Sequence, residues 1–341
     1  MSVTLSEIAA HAGVSPATAS RVLNERPGVN AQTRRRVLDA AELLGYARPA
    51  TLQARRVGLI GVVIAELGNP IFPVFAQAIE RALPPFGYNA LLSTRHLGAP
   101  GETASIQLLQ DNGVAGIMFL SGIHSDALAD TSHYAELREQ GVPLAFINGL
   151  IPDFDATFVA DDDAAGMDLA VRHLLALGHR HIGITTGSTR YTPSARKLAG
   201  FQRAMRRHNP QAKAEVHIGD YSVEAGRVAA TDLIGRGCTG IIAASDFTAL
   251  GVIRGARRLG LRVPQDISVI GYDGSPVMAF TGPPLTTIKQ PVDALAGAAV
   301  QSLVRDIEGR PGPRTEVLFQ PELVVRSSTD AAPTRPGRAT R

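Results

Sequence analysis

The sequence predicts a small all-α head followed by a larger α/β body of two lobes, and three observations carry that prediction. Apolar residues within residues 1–47 recur at helical spacing between capping residues. From Val57 onward, short apolar runs alternate with amphipathic stretches, the pattern of parallel sheets covered by helices on both faces. That pattern runs over residues 58–328, too long for one such sheet, so two similar doubly wound lobes with a cleft between them are expected. The predicted division is a head over 1–47, a hinge over 48–57, the two-lobed body over 58–328 and a disordered tail over 329–341, rich in Ala, Pro, Thr and Arg.

The head reads as three helices. Thr4-Leu5-Ser6-Glu7 is a capping box, in which the Thr4 hydroxyl takes one orphan N–H and Glu7 reaches back to another. The first helix runs through Ile8, Ala9 and Ala12 and stops at Gly13. Ser15 caps the second, with Pro16 in its first turn, where no N–H is missed. Asn30 caps the third, whose apolar face is Val37, Ala40, Ala41 and Leu44, ending at Gly45. Two helices joined by a short turn, over LSEIAAHAGVSPATASRVLN (residues 5–24), are a helix-turn-helix. Its second helix would carry Pro16, Ala17, Ser20 and Arg21 into a major groove, above a small core of Ala9, Val14, Ala19 and Val22. The alternative is a helical hairpin that binds nothing.

Charge is compatible with either reading. Residues 1–56 hold eight arginines against four acids, a net of +4, which leaves −1 for the rest of a chain whose formal charge is +3. A basic head on a near-neutral body suits a polyanion, although a merely solvated helical surface carries the same charge.

In the body, strands are predicted at Gly58–Ile64, Tyr88–Ser93, Gly116–Leu120, Pro143–Ile147, His181–Thr185, Gly240–Ala244 and Ile267–Gly271. Helices are predicted near 73–83, 101–111, 131–140, 164–177, 194–207, 223–236 and 247–259. Ligands of such sheets bind beyond the carboxyl ends of the strands.

Other classes find little support. The one cysteine, Cys238, allows no internal disulfide and no all-cysteine metal site, which fits a reducing compartment. The first residues resemble no signal peptide, and the longest apolar run, Val57–Ala65, is far short of the roughly 20 residues that cross a bilayer. A cytoplasmic, nucleoid-associated protein without membrane contact is expected. Asp161-Asp162-Asp163 reads as a helix start beside a lobe crossover rather than as a metal site. The histidines show no zinc spacing, and no nucleotide loop, G-x-S-x-G or G-x-G-x-x-G occurs. Neither catalytic activity, metal nor cofactor is expected.

These motifs together resemble the LacI family of bacterial repressors. The resemblance rests on VTLSEIAAHAGVSPATASRVLN, PGVNAQTRRRV and LGY in the head. In the body it rests on VRHLLALGHRHIGITTG, RKLAGFQRAM, AASDFTALGVIRGARRLGLRVPQDISVIGYDGS and PPLTTIKQP. It covers residues 3 to 328 and implies a helix-turn-helix head on a periplasmic-binding-protein-like body. It also implies a homodimer, near-palindromic double-stranded operator DNA and a small effector. Half-sites would lie about 34–36 Å apart.

The same resemblance assigns residues. Thr4, Ser15, Thr18, Asn24, Asn30, Thr33 and Arg34 are placed to meet phosphates, which fixes register. Pro16 and Ala17 hold the main base-reading positions and read only shape and apolar features, so polar reading falls to Ser20 and Arg21. The hinge, Gly45 to Arg56, departs from the family's x-P-N-x-x-A-R-x-L; Leu52 is its candidate minor-groove wedge, with Arg55 near phosphate. The short GYARP connection, with NPIFPVFAQ, SARKLAG and PELVVRSST, is similar to actinobacterial maltose-utilisation repressors and points to a sugar or oligosaccharide.

Effector positions fall at Ile71 and Phe72, apolar enough to stack on a sugar face, and at Asn148, Tyr221, Asp246 and Asp273. Each Asp is equally readable as a helix N-cap. Arg196 and Lys197 stand where relatives show R-x-x-G-F, but Lys cannot make the bidentate fork of Arg. The competing readings are a cytoplasmic sugar-binding protein without a regulatory role, a corepressor-dependent regulator of non-sugar metabolism, an exported solute-binding protein and a sugar-processing enzyme. The last two lack the signal peptide and the catalytic set they need.

Overall fold

The computed structural model describes residues 4–23, 29–44, 58–94, 101–312 and 315–334. The chain divides into two compact units, one within residues 1–57 and the other within 58–341.

In the first unit three helices form, α1 (Leu5–Ala12), α2 (Pro16–Leu23) and α3 (Ala31–Leu43). The capping box closes as the sequence requires: Glu7 N donates to Thr4 Oγ1 at 3.4 Å, and Thr4 N donates to Glu7 Oε2 at 2.6 Å. Gly13 ends α1 at φ 63°, a left-handed backbone that disfavours any side chain. Arg36 of α3 donates to the orphan carbonyls of Ala12 and Gly13 at 2.8 and 3.3 Å, tying the turn to the third helix. The core is Ile8, Ala9, Ala12, Ala19, Val22, Leu23, Val37, Ala40 and Ala41, with Val14 partly buried at its edge. Small alanines at the α1–α2 contact let the two helices cross closely.

The second unit runs β1 (Gly58–Ile64), α4 (Ile71–Ala82), β2 (Tyr88–Thr94), α5 (Glu102–Asp111), β3 (Gly116–Leu120), α6 (Ser132–Glu139), β4 (Leu144–Ile147) and β5 (Thr157–Asp161). It continues α7 (Asp163–Ala176), β6 (His181–Thr186), α8 (Thr192–His208), β7 (Lys213–Ile218), α9 (Val223–Gly235), β8 (Gly240–Ala243), α10 (Asp246–Arg258), β9 (Ser268–Asp273) and β10 (Thr286–Lys289). It closes with α11 (Val292–Ile307), β11 (Glu316–Phe319) and β12 (Glu322–Val324).

Two six-stranded sheets result, ordered β11-β5-β4-β3-β1-β2 and β12-β10-β9-β8-β6-β7. They share one winding, and the pairings are parallel except β10–β12, where Ile288 faces Leu323. In the first lobe β1 is Gly58-Leu-Ile-Gly-Val-Val-Ile, buried from Ile60 onward because helices cover both faces. Helices α4 and α11 pack on one face and α5 and α6 on the other. In the second lobe α9 and α10 cover one face, and α7 and α8 the other. The chain crosses between lobes three times, at Asp161–Asp163, Lys289–Val292 and Phe319–Glu322.

Two expectations need correction. Residues 329–334 of the predicted tail are ordered: Asp330 N donates to Ser268 Oγ at 3.0 Å, and Ala332 N to the carbonyl of Leu177 at 2.8 Å. Buried His179 reaches Thr239, Ser268 and the Asp330 carbonyl at 2.9–3.1 Å, so the segment's backbone finds partners that its composition does not advertise. The strand predicted to stop at Gly271 continues to Asp273, which ends it rather than following it. Residues 335–341 and the hinge over 48–57 lie outside the described residues.

Candidate DNA interface and ligand cleft

On the head, Pro16, Ala17 and Arg21 are exposed along α2, and Thr18 and Ser20 are half-buried. Ala19, Val22 and Leu23 are buried, so α2 presents one face outward and anchors the other. Ser15 Oγ accepts from Thr18 N at 3.1 Å and lies 2.8 Å from the Thr18 hydroxyl. Asn30 Oδ1 accepts from Thr33 N at 2.8 Å. Thr4, Ser15 and Asn30 therefore all hold helix starts, with positive dipole ends at the positions assigned to phosphates. Asn24, Leu52 and Arg55 lie outside the described residues.

In the body, the carboxyl ends of the two sheets approach one another. Tyr272, near the end of β9, donates its hydroxyl to Asp161, the last residue of β5, and lies 3.2 Å from Asp163 Oδ1. In a sheet wound 2-1-3-4-5, the crevice opens where connections part to opposite faces, here beside β1 and β3 in one lobe and β6 and β8 in the other.

Around this crevice lie side-chain atoms that the protein buries without a hydrogen-bond partner: Asn148 Oδ1, Thr185 Oγ1, Thr186 Oγ1, Asp273 Oδ2, Ser275 Oγ and Gln290 Oε1. Each sits at or just past the carboxyl end of a strand. A buried polar atom without a partner costs on the order of 1–3 kcal/mol, so this clustering marks where a polar ligand belongs. Backbone strain gathers there too. Ser121, Asn148 and Asp273 have φ of 51°, 61° and 109°, left-handed values at the ends of β3, β4 and β9.

Asp273 is 6% exposed. Its Oδ1 accepts from Gln290 Nε2 at 2.8 Å, which leaves Oδ2 for a ligand. Burial, then the nearby Asp246 carboxylate, push its pKa well above the ordinary range. Asp246 opens α10, and the cap is Ser245, whose Oγ accepts from Thr248 N at 3.1 Å. Both Asp246 oxygens are taken, by Thr287 Oγ1 at 2.6 Å and Ser275 N at 2.7 Å. Asp246 thus positions Ser275 from behind, and burial raises its pKa to about 6.

Tyr221 is half-buried, with its hydroxyl 2.8 Å from Ser194 Oγ and its ring against Gly187 after β6. Ile71 opens α4 and is buried, and Phe72 beside it is half-buried. Arg196 is engaged away from this group, whereas Lys197 lies within electrostatic reach of Asp273 and Tyr221. Arg196 makes a bidentate pair with Glu316 at 2.5 and 2.9 Å. Lys197 is buried 2.6 Å from Asp163, over the Tyr272 ring. Burial opposes its charge, but Asp163 and Asp161 outweigh burial and raise its pKa. Both cations brace the crossover.

Thr185, Thr186, Ser275 and Gln290 were not among the residues singled out from sequence. Their signal is present in retrospect, a Thr-Thr-Gly after a strand and the Ser-Pro and Gln-Pro pairs after two others. Asp162 caps α7 through Ala165 N at 3.0 Å, as the crossover reading of the aspartate run requires. Among the described residues no group of three or more His, Cys, Asp or Glu is placed to hold a metal, and no helix is long and apolar enough to cross a membrane.

A helix-turn-helix unit and a two-lobed body with a crevice lined by polar groups define the class, a ligand-responsive DNA-binding regulator. Residues 4–49 match the family of bacterial regulatory proteins of the lacI family, and residues 171–329 match a periplasmic binding protein-like domain. The chain is 48% identical over 343 residues to the HTH-type transcriptional regulator MalR of Streptomyces coelicolor, covering 99% of this chain and 100% of the relative. It is 48% identical over 344 residues to the regulator reg1 of Streptomyces lividans, with the same coverage. Among solved structures, the lac repressor dimer bound to operator and an anti-inducer superposes with a TM-score of 0.71 at 30% identity, covering 97% of this chain and 100% of that one. The complex of the regulator CelR with cellobiose gives 0.69 at 28%, covering 96% and 99%. The chain belongs to the LacI family.

Proposed function

We propose that this regulator represses carbohydrate-uptake or catabolic genes and is released from its operator by a sugar or oligosaccharide. The observation that carries the sugar reading is the set of buried, unpartnered hydroxyl, amide and carboxyl oxygens at the strand ends, with the Tyr221 ring against Gly187 just past β6 and Phe72 in the first turn of α4 after β1. A ligand rich in hydroxyls satisfies the first group, and its apolar ring face suits the second. The names of the relatives point the same way, since one is a MalR and a solved neighbour holds cellobiose.

Asn148, Asp273, Tyr221, Ile71 and Phe72 would contact the effector, with Asp246 behind them. Pro16, Ala17, Ser20 and Arg21 would read bases, and the head's other assigned residues would hold phosphates. The body would pair two chains, so that two heads meet a near-palindrome, as the lac repressor does as a dimer on its operator. Such a protein performs no chemistry and works in the cytoplasm, on the nucleoid. Sugar binding would change the fit of the two heads to both half-sites, with a coupling of about 1–3 kcal/mol.

The test is fluorescence anisotropy of the purified protein on the palindromic segment upstream of its own gene or of neighbouring sugar-uptake genes. It is run at fixed salt, with and without maltose, maltotriose, cellobiose and glucose. Selective binding that one sugar weakens is the expected result. A sugar that strengthens binding would make it a corepressor, and indifference to every sugar would remove the carbohydrate reading. Equal binding to operator and random DNA would overturn the assignment of the head.

A further inference from the structure

The two lobes touch at a second place, far from the crossovers. The loop after β3 carries Asp126 and the loop after β6 carries Arg190. Arg190 Nε donates to Asp126 Oδ1 at 2.9 Å, and a terminal guanidinium nitrogen donates to Oδ2, a bidentate pair. Backbone joins it: Ala127 N donates to the carbonyl of Arg190 at 2.9 Å, and Asp126 forms an antiparallel bridge with Tyr191.

Position gives the contact leverage. Crossovers leave the first sheet at β5 and β11 and the second at β10 and β12. β3 lies two strands from β5, about 10 Å, and β6 three strands from β10, about 14 Å, at the usual strand spacing. Both strands flank the crevice, so a bond between their loops spans its mouth.

The first of these loops is held rigidly. Ile123 N donates to buried Glu102 at 3.0 Å, and Glu102 also accepts the Tyr134 hydroxyl. His124 N donates to Tyr134 Oη at 3.2 Å, while its ring sits 3.1 Å from the Ile147 carbonyl and lies against Gly149, where a Cβ would come within 2.5 Å of it. Ser125 Oγ donates to the Gly122 carbonyl at 2.8 Å. Pulling on Asp126 therefore pulls on the whole first lobe rather than on a slack loop.

We propose that Asp126 and Arg190 are positioning residues that latch the two lobes closed across the mouth of the cleft. The strength of this latch sets how much of the population is closed before any ligand arrives. A ligand that needs the closed form binds more weakly in proportion to the closed fraction, so the latch tunes the concentration at which the regulator responds. That consequence rests on the sugar reading above; the latch itself does not.

The experiment uses the full chain without ligand. A donor and an acceptor dye are placed on exposed Leu108→Cys of α5 and Val228→Cys of α9, one in each lobe, with Cys238 left buried. Energy transfer then reports lobe separation. Asp126→Arg and Arg190→Asp each bring like charges together and should lengthen the distance by several ångströms, with thermal unfolding little changed. The exchange Asp126→Arg with Arg190→Asp should restore it, and high salt should lengthen it in the parent, because Arg190 is 45% exposed and open to screening. If a charge reversal unfolds the chain, Asp126→Asn and Arg190→Gln replace the reversals with the same expected lengthening. An unchanged distance in the single variants, or an exchange that fails to restore it, overturns the latch, and neither result depends on which sugar binds.

Discussion

Asp273 and Asp246 are two buried, electrostatically coupled carboxyls that the protein satisfies differently. Asp246 spends both oxygens on the protein, whereas Asp273 keeps Oδ2 free. Because burial and Asp246 hold the Asp273 carboxyl towards its neutral form, Asn is the closer mimic and Ala the true deletion. Asp273→Ala should abolish sugar-dependent release with operator affinity intact, while Asp273→Asn keeps part of it; an unchanged sugar titration of the Ala variant removes the assignment. Asp246 bears on stability. Its pKa is raised from 3.8 to about 6, so the folded state binds the extra proton. That contribution is fully present below about pH 4 and fades as pH rises through about 6, by at most about 3 kcal/mol. In Asp246→Asn the amide donates to Thr287, the oxygen accepts from Ser275 N, and the contribution is gone. The melting temperature of the parent relative to Asp246→Asn should therefore fall between pH 4 and 7. A flat difference would mean that Asp246 is ionised throughout.

At the scale of elements, helix α2 is the one proposed to set sequence preference, and its outward face is almost without polar reach. Pro16 and Ala17 offer no hydrogen bonds, and Arg21 is the long donor exposed beside them. Arg21→Ala should cost about 1–3 kcal/mol on the operator and relax base preference, with far less effect on random DNA. Equal losses on both would make Arg21 a phosphate contact. The head was legible because its instructions are local: a capping box, Ser15-Pro16, Asn30 and Gly13 each act within four residues. Most of the longer parallel strands were legible as apolar runs, but β5 (Thr157–Asp161) and the polar-rich edge strand β7 (Lys213–Ile218) were missed. Strands such as Thr286–Lys289 and Glu322–Val324 were missed too, since runs of four and three residues have no period to read and form only through their neighbours. Helix α11 went unassigned although Val292, Leu295, Ala296, Ala299, Val300, Leu303 and Val304 recur at helical spacing, and all seven are buried in the first lobe's core. The ion pair of Lys197 with Asp163 was not legible, because the two lie 34 positions apart across a crossover that no local pattern reports.

Taken whole, the molecule separates DNA reading from ligand sensing into two units, and whatever passes between them is bound by thermodynamics. The two lobes meet at three crossings and at the Asp126–Arg190 contact, so their arrangement is a single equilibrium on which a ligand can act. If maltose, or whichever sugar the operator assay selects, weakens operator binding by some factor, then saturating operator must weaken sugar binding by the same factor. For a coupling of about 1–3 kcal/mol that is a shift of roughly 5- to 150-fold. Sugar titrations followed by calorimetry, with the operator absent and then saturating, measure it directly. Equal factors in the two directions place both ligands on one conformational equilibrium of the protein. Sugar affinity that ignores the operator, in a protein whose operator affinity responds to sugar, would mean that the sugar acts outside that equilibrium, for example through aggregation of the chain or through the DNA.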